Sequence, residues 1–392
     1  MKPRPMAEDV FWVGAVDWDR RLFDSLIPLP DGTSYNAYLV RGSEKTVLLD
    51  TVDPAMTSVL MSRLQDTPSI DFVVSHHAEQ DHSGSIPVIL EKYPGAKVIC
   101  TPTAKNMLID HLLLKPEQIR TVEDGETLSL GDKSLRFIHT PWVHWPETMS
   151  SYLGERKILF SCDFFGSHLA TEDLFVNDDA GVYPAAKRYY AELMMPFRRI
   201  IEKNLEKIKG LEIGTIAPSH GPSYPRPKFI IDCYRDWGSD ATKNVVVIPY
   251  VTMHGSTARM VEYLAAALAD KGIEVQLFNL PYADVGKVAM SLVDAATMVV
   301  GAPAVHVGPH PAVLSALHLA NALRPKLRFF SILGSYGWGN KIVEQIRGMI
   351  PNLKVEMLNP ILAKGFPKEQ DFRALDDLSE SILKKHKDLG VI

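Results

Sequence analysis

Ile70-Asp71-Phe72-Val73-Val74-Ser75-His76-His77-Ala78-Glu79-Gln80-Asp81-His82-Ser83-Gly84 is the stretch around which the chain is organised. Its first five residues are an apolar run that reads as a buried strand. Ile86 to Leu90 beyond it reads as the start of a helix. A cluster of histidines and carboxylates therefore sits on the loop leaving a strand's C-terminal end. His77, Glu79, Asp81 and His82 can converge on metal only if that loop folds back sharply, and Gly84 is expected to supply the turn.

The spacing His-x-Glu-x-Asp-His resembles the His-x-His-x-Asp-His signature of the metallo-β-lactamase fold, with Glu79 at the second histidine. Histidine and thiolate suit zinc. A ligand set richer in carboxylate suits iron or manganese and favours bridged, redox-active pairs. The bland alternative is a solvated polar loop, but four ligand-type side chains in six residues at a strand exit favour metal.

The chain has 392 residues, 46% hydrophobic and 23% charged, which is ordinary globular composition and long enough for two or three domains. A net charge of -5 gives no reason to expect nucleic acid as a partner. The three cysteines, Cys100, Cys162 and Cys233, form no C-x-x-C pair and fit a reducing cytoplasm. The start of the chain lacks the apolar core of a signal peptide, and no apolar run reaches the roughly 18 residues of a membrane helix. No membrane association is expected.

In the first half, Val10–Val13, Tyr35–Val40, Thr46–Asp50, Lys97–Cys100, Leu135–Ile138, Lys157–Ser161 and Ile213–Ala217 read as strands, and Ala55–Leu64 as a helix. Mixed strands with helices between them predict two sheets flanked by helices. Three of the later strand exits each deliver one metal-ligand type: His144 after Phe137, Asp163 after Phe160, and His220 after Ile216. Loops gathered at one end of a sheet scaffold are where sites form.

The set His77, Glu79, Asp81, His82, His144, Asp163 and His220 resembles the di-iron site of the flavodiiron proteins, also called A-type flavoproteins. The resemblance implies His77, Glu79 and His144 on one iron, Asp81, His82 and His220 on the other, and Asp163 bridging them. His168 matches a histidine found near the pocket of that family, and Tyr190 is a candidate pocket wall and hydrogen-bond donor. Both are carried as candidate catalytic residues. His76 and His139 occupy no motif position and read as structural. Cys162 departs from the residue expected beside Asp163, and its thiol is expected to point away.

Proline punctuation from Pro222 and the polar stretch Gly238–Lys243 mark a linker, with domains expected at 1–240 and 244–392. Val245–Ile248, a helical pattern through Leu268, and Ile273–Phe278 make a βαβ unit and predict a parallel sheet. Thr252-Met253-His254-Gly255-Ser256-Thr257 places hydroxyls at a helix N-terminus, where unpaired N–H groups face an anion. It resembles the flavodoxin phosphate loop that holds the phosphate of FMN. Ala302-Pro303-Ala304-Val305 and Ser335-Tyr336-Gly337-Trp338-Gly339 are two further strand-exit loops, where ligands bind in doubly wound sheets. Tyr336 or Trp338 is placed against the flavin ring, whereas Ala304 stands where the family often has a hydroxyl. Lys354–Leu358 and a helix from about Asp371 to Lys387 complete an expected five-stranded sheet.

The resemblance thus covers essentially the whole chain: a metallo-β-lactamase-like αββα domain, then a flavodoxin-like doubly wound domain. No rubredoxin-like tail is expected, since the paired cysteines it needs are absent. The resemblance implies an oxidoreductase that reduces O2 to water, NO to N2O, or both, taking electrons from rubredoxin, reduced F420 or another reductase through FMN to the two irons. It also implies a head-to-tail homodimer or a dimer of dimers. The competing readings are a zinc hydrolase fused to a regulatory flavodoxin-like domain, against which Glu79 argues, and a non-catalytic electron carrier, against which the intact ligand set argues.

Overall fold

Alternation of side chains along each strand decides the layers of the first half. In Tyr38–Arg41, Thr46–Leu49 and Phe72–Val74, the residues Leu39, Leu48 and Val73 face a helix-covered core with Leu60, Ile86, Ile89 and Leu108. Their neighbours Tyr38, Val40, Val47, Leu49 and Val74 face the opposite way and meet Phe137, Met149, Leu153 and Phe160 of a second sheet. Helices at Asp179–Tyr189, Arg198–Ile208 and Pro227–Gly238 also belong to this half. The result is a helix–sheet–sheet–helix sandwich, described here from a computed structural model of residues 1–392.

The chain divides into two units, Met1–Gly238 and Ser239–Ile392. In the first, a seven-stranded sheet runs in the order Arg4–Ala7, Val10–Trp12, Tyr38–Arg41, Thr46–Leu49, Phe72–Val74, Lys97–Cys100, Ile119–Thr121. Its pairing is antiparallel up to Thr46–Leu49 and parallel beyond. The five-stranded partner sheet runs Thr127–Ser129, Ser134–His139, Met149–Leu153, Ile158–Cys162, Thr215–Pro218.

The predicted strand Tyr35–Val40 is interrupted. Tyr35 ends a short strand, Thr33–Tyr35, and the pairing resumes at Tyr38. Asn36 leaves the ladder because its amide nitrogen donates to the carbonyls of Pro218, at 2.8 Å, and Gly221, at 2.7 Å, while Trp12 Nε1 donates to its Oδ1 at 2.8 Å. A position that reads as strand thus ties down the loop that carries His220.

The second unit is a parallel sheet in the order Glu274–Asn279, Lys243–Tyr250, Ala295–Val305, Phe329–Tyr336, the flavodoxin-type order. Ser256–Ala269 and Glu369–Asp388 cover one face, and Val285–Leu292, Pro311–Leu323 and Ile342–Met349 the other. The expected fifth strand at Lys354–Leu358 shortens to Glu356–Met357, and a second short strand, Ile361–Lys364, pairs further along the same neighbour. Ser331 Oγ donates to the Asn359 carbonyl between the two pieces. The stretch read as a linker is also short, since Lys243 already opens the first strand.

His386, fully buried on the last helix, shares hydrogen bonds with Thr297 Oγ1 at 2.7 Å and Asn244 Oδ1 at 2.8 Å. Burial pushes its imidazole from 6.5 down to about 4. As pH falls from 6.5 toward 4, the unfolded chain takes up a proton that the folded one refuses, so stability is full above that window and is lost within it. Calorimetry of the full chain at about pH 7.5 and about pH 5 is expected to show a larger loss in the wild-type protein than in His386→Gln. Equal losses in the two proteins would remove His386 as the source.

Candidate metal centre

The loop after Phe72–Val74 is turned by contacts that sort its two adjacent histidines. His76 points between the sheets. Its backbone N–H and Nδ1 meet the two oxygens of Asp50 at 2.8 and 2.7 Å, and Nε2 meets Ser151 Oγ at 2.7 Å. His77 points the other way, with Nδ1 donating to Glu147 Oε1 at 2.6 Å. That carboxylate fixes the ring so that Nε2 faces Glu79 Oε2 at 3.0 Å and Asp163 Oδ2 at 3.6 Å. His144 Nε2 closes the group, at 3.3 Å from Glu79 and 3.5 Å from Asp163.

Asp81 and His82 lie on the one-turn helix Gln80–Ser83. His82 Nε2 is 3.3 Å from Asp81 Oδ1 and 3.2 Å from Asp163 Oδ1. His220 Nε2 is 3.2 Å from Asp81 Oδ2 and 3.4 Å from Asp163 Oδ1. Its Nδ1 donates to the Ser34 carbonyl at 2.7 Å. The seven side chains therefore form two groups, His77–Glu79–His144 and Asp81–His82–His220, and Asp163 presents one oxygen to each. Gly84 contributes differently from expectation. Its φ is -61°, so no left-handed turn is needed; a Cβ there would stand 2.4 Å from the Gln80 carbonyl and 2.7 Å from Pro54.

The donor chemistry fits metal. All four carboxylate oxygens of Asp81 and Asp163 are buried without a hydrogen-bond partner, which is costly unless a cation answers them. Burial disfavours charge on His77, yet Glu147, Glu79 and Asp163 raise it well above its ordinary value. Burial opposes charge on His144 and His220 too, but Asp163 with Glu79 lifts the first to about 9, and Asp163 with Asp81 lifts the second to about 10. Burial pushes Asp163 up, and the surrounding histidines overcome this and hold it well below the carboxylate range. Metal binding then displaces protons.

Other residues fall into place around this group. His168 is buried, with Nδ1 2.9 Å from Thr33 Oγ1 and its ring 4.9 Å from that of His220, and its Nε2 has no partner. Burial drives its imidazole well below 6.5, so it is neutral. Tyr190 does not line this centre. It packs against Tyr234 and Trp237, and its neighbour Tyr189 stands against His168 and His220 instead. Cys162 is buried, and its sulfur lies within 4.8 Å of ligand atoms of His82 and Asp163. His139 is structural, its Nε2 meeting the Val122 carbonyl at 3.1 Å.

Sequence reading missed Glu147, although it stands three residues beyond His144. A carboxylate behind a metal-bound imidazole orients the ring and raises its basicity. Glu147→Gln is expected to weaken metal affinity about 10–100-fold, read by competition with a chromophoric chelator. Unchanged affinity would leave Glu147 as packing only.

In the second unit, Thr252, Met253, His254, Ser256, Thr257, Pro303, Ala304, Ser335, Tyr336, Gly337 and Trp338 line one cleft of about 300 Å³, at the lower end for a cofactor-sized ligand. Gly365, just past the short strand Ile361–Lys364 that sequence reading did not find, joins them. Gly255 adopts φ +86° and lets the loop turn into the helix, with Thr252 Oγ1 accepting from Gly255 and Ala258. Thr257 and Ser335 hydroxyls lie 3.1 Å apart and tie the first loop to the third. Trp338 is 87% exposed at the mouth, open to a flat ring. Ala302 is buried in the sheet, and Ala302, Val305 and Gly339 are not among the lining residues.

Residues 33–221 match the family model described as ODP family beta lactamase. The nitric oxide reductase of Moorella thermoacetica is 35% identical, across 97% of this chain and 98% of that protein. The rubredoxin oxygen:oxidoreductase from Desulfovibrio gigas superposes with a TM-score of 0.96 at 28% identity, covering both chains fully. The flavodiiron protein from Giardia intestinalis does so with a TM-score of 0.90 at 28% identity, over 99% of this chain and 98% of that one.

The chain belongs to the flavodiiron protein family. The flavodiiron architecture accounts for the pairing of an αββα unit with a flavodoxin-like unit, and for a ligand set with Glu79 where a zinc hydrolase has histidine. No helix is long and apolar enough to cross a membrane.

Proposed function

We propose that this oxidoreductase reduces O2 to water, NO to N2O, or both; His77, Glu79, His144, Asp81, His82, His220 and Asp163 would hold two irons, with Asp163 facing both groups, and the cleft of the second unit would hold FMN. The observation that carries the reading is the single carboxylate, Asp163, facing both groups of ligand atoms at 3.2 to 3.6 Å. When bound, the iron pair and the flavin supply stored electrons for reduction of a small diatomic.

The chain's own residues position and shield. Glu147 orients His77, and the Ser34 carbonyl orients His220, so each presents Nε2 inward. His168, neutral and buried, and Tyr189 wall the side next to His220 and keep water from it. Thr252, Ser256 and Thr257 at the helix N-terminus would hold the flavin phosphate, and Trp338 or Tyr336 would cover the ring. An external donor supplies electrons. The name of the Desulfovibrio gigas structure pairs that protein with rubredoxin, and reduced F420 or another reductase are the alternatives. The assembly is a head-to-tail homodimer or a dimer of dimers, and the three free cysteines suit the cytoplasm.

Anaerobic purification followed by metal and flavin analysis tests this. About two irons and one FMN per chain are expected, with rapid consumption of O2 or NO by the reduced protein ranking the substrates. Zinc without flavin would return the hydrolase reading.

A further inference from the structure

We propose that Tyr189, Tyr234, Tyr190, Trp237 and Tyr183 form a conduit that carries an oxidising equivalent from the metal centre to the surface of the first unit, where a thiol or an ascorbate-like enediol discharges it. The inference rests on the di-iron reductase reading above.

Tyrosine and tryptophan are the aromatic side chains that lose an electron readily; phenylalanine does not. Tyr189 stands at the inner end, its ring 4.9 Å from His168 and 5.8 Å from His220. Its hydroxyl is directed toward the Asp163 carboxylate. Tyr234 follows across the Phe165-Gly166 turn: its hydroxyl accepts from Phe165 N at 3.2 Å, and a Cβ on the adjacent Gly166 would stand 2.9 Å from Tyr189 Cζ. The rings of Tyr234, Tyr190 and Trp237 then form a triangle with centroids 5.2, 5.2 and 5.5 Å apart. Trp237 lies 5.6 Å from Tyr183 and points Nε1 at its hydroxyl, 3.5 Å away. Tyr183 is only half-buried, so the series ends at solvent.

Packing alone accounts poorly for these residue types. The hydroxyl of Tyr190 is buried without a partner, which costs about 1–3 kcal/mol. Phenylalanine would fill the same space without that cost. An oxidisable ring is therefore kept at Tyr190 where an inert one is cheaper, and the ring contacts run from Tyr234 through Tyr190 and Trp237 to Tyr183 at the surface.

The oxidant is oxygen left partly reduced when electron delivery falls short, which the proposed activity itself supplies. The centre takes up one electron. Tyr183 provides it, its O–H bond breaks, and its proton passes to water at the exposed edge. The four residues between begin and end unchanged. The external thiol or enediol then returns one electron and one proton to Tyr183, re-forming the O–H bond, and is itself oxidised by one electron. Buried oxidisable groups beside the centre, such as Cys162, are spared.

The test uses iron- and FMN-loaded protein reduced with too few electrons for complete turnover, mixed with O2 and frozen at intervals. Electron paramagnetic resonance is expected to show a tyrosyl or tryptophanyl radical that ascorbate removes. Trp237→Phe is expected to keep full O2 turnover under ample electron supply, to leave the radical resistant to ascorbate, and to raise oxidation of peptides containing Cys162 several-fold by mass spectrometry. Tyr183→Phe, a milder change at a half-buried site, is expected to give the same resistance. Protein that consumes O2 under electron shortage without any organic radical, or variants with unchanged ascorbate response and peptide oxidation, would overturn the conduit while leaving the reductase reading intact. Protein that takes up no iron would overturn both.

Discussion

Asp163→Asn is expected to empty the metal centre: iron falls from about two per chain to well under one, and turnover of O2 or NO drops by more than about 100-fold. Changes behind the ligands already cost 10–100-fold in affinity, so the shared ligand itself should cost more. Asp163 is the one group that meets both halves, with Oδ2 toward His77 and His144 and Oδ1 toward His82 and His220. Asparagine keeps the shape but removes the charge and turns one oxygen into a donor, which cannot face metal. Metal analysis with circular dichroism as a folding control reads the result. A folded variant that retains both irons would show that Asp163 is not the bridge.

Asp50→Ala should have the largest effect on stability. Asp50 is buried and holds both the backbone N–H and the ring of His76, with Ser219 Oγ 3.4 Å away. Removing one partner of such a pair costs about 3–5 kcal/mol. In a unit of this size the melting temperature should fall on the order of 10 °C. Iron content should fall as well, since Asp50 ties together the loops that carry His77 and His220. Asp50→Asn, which keeps an acceptor for one of the two bonds, should lose less on both counts. Scanning calorimetry and metal analysis of the same samples separate the two effects, and a variant with wild-type melting would remove Asp50 from this role.

The ligand residues were legible because each lies in the segment that follows an apolar strand pattern, and a strand exit limits where a side chain emerges. The spacing around His77 sets the local turn, and the ligand types favour iron over zinc. The βαβ order of the second half was legible for the same reason, since uninterrupted apolar runs alternate with helical periods. Legibility failed where tertiary contacts override local preference. Asn36 breaks a well-patterned strand because the backbone around Pro218 and Gly221 needs its amide. Two short strands replace the predicted fifth one, and neither is long enough to show a period.

The identity of pocket residues was the least legible part. Tyr189 and Tyr190 are adjacent and chemically alike, so sequence cannot say which turns toward the metal; only helix rotation decides, and it places Tyr189 there. Glu147 is an ordinary loop carboxylate until the fold brings it 2.6 Å from His77. The sequence by itself determined which side chains can bind metal and that two α/β units follow one another, because those depend on residue type and short-range period. The tertiary structure decided which ligand-type side chains gather into each group, which carboxylate stands between the groups and which neighbours orient them, because those depend on where distant strand exits meet.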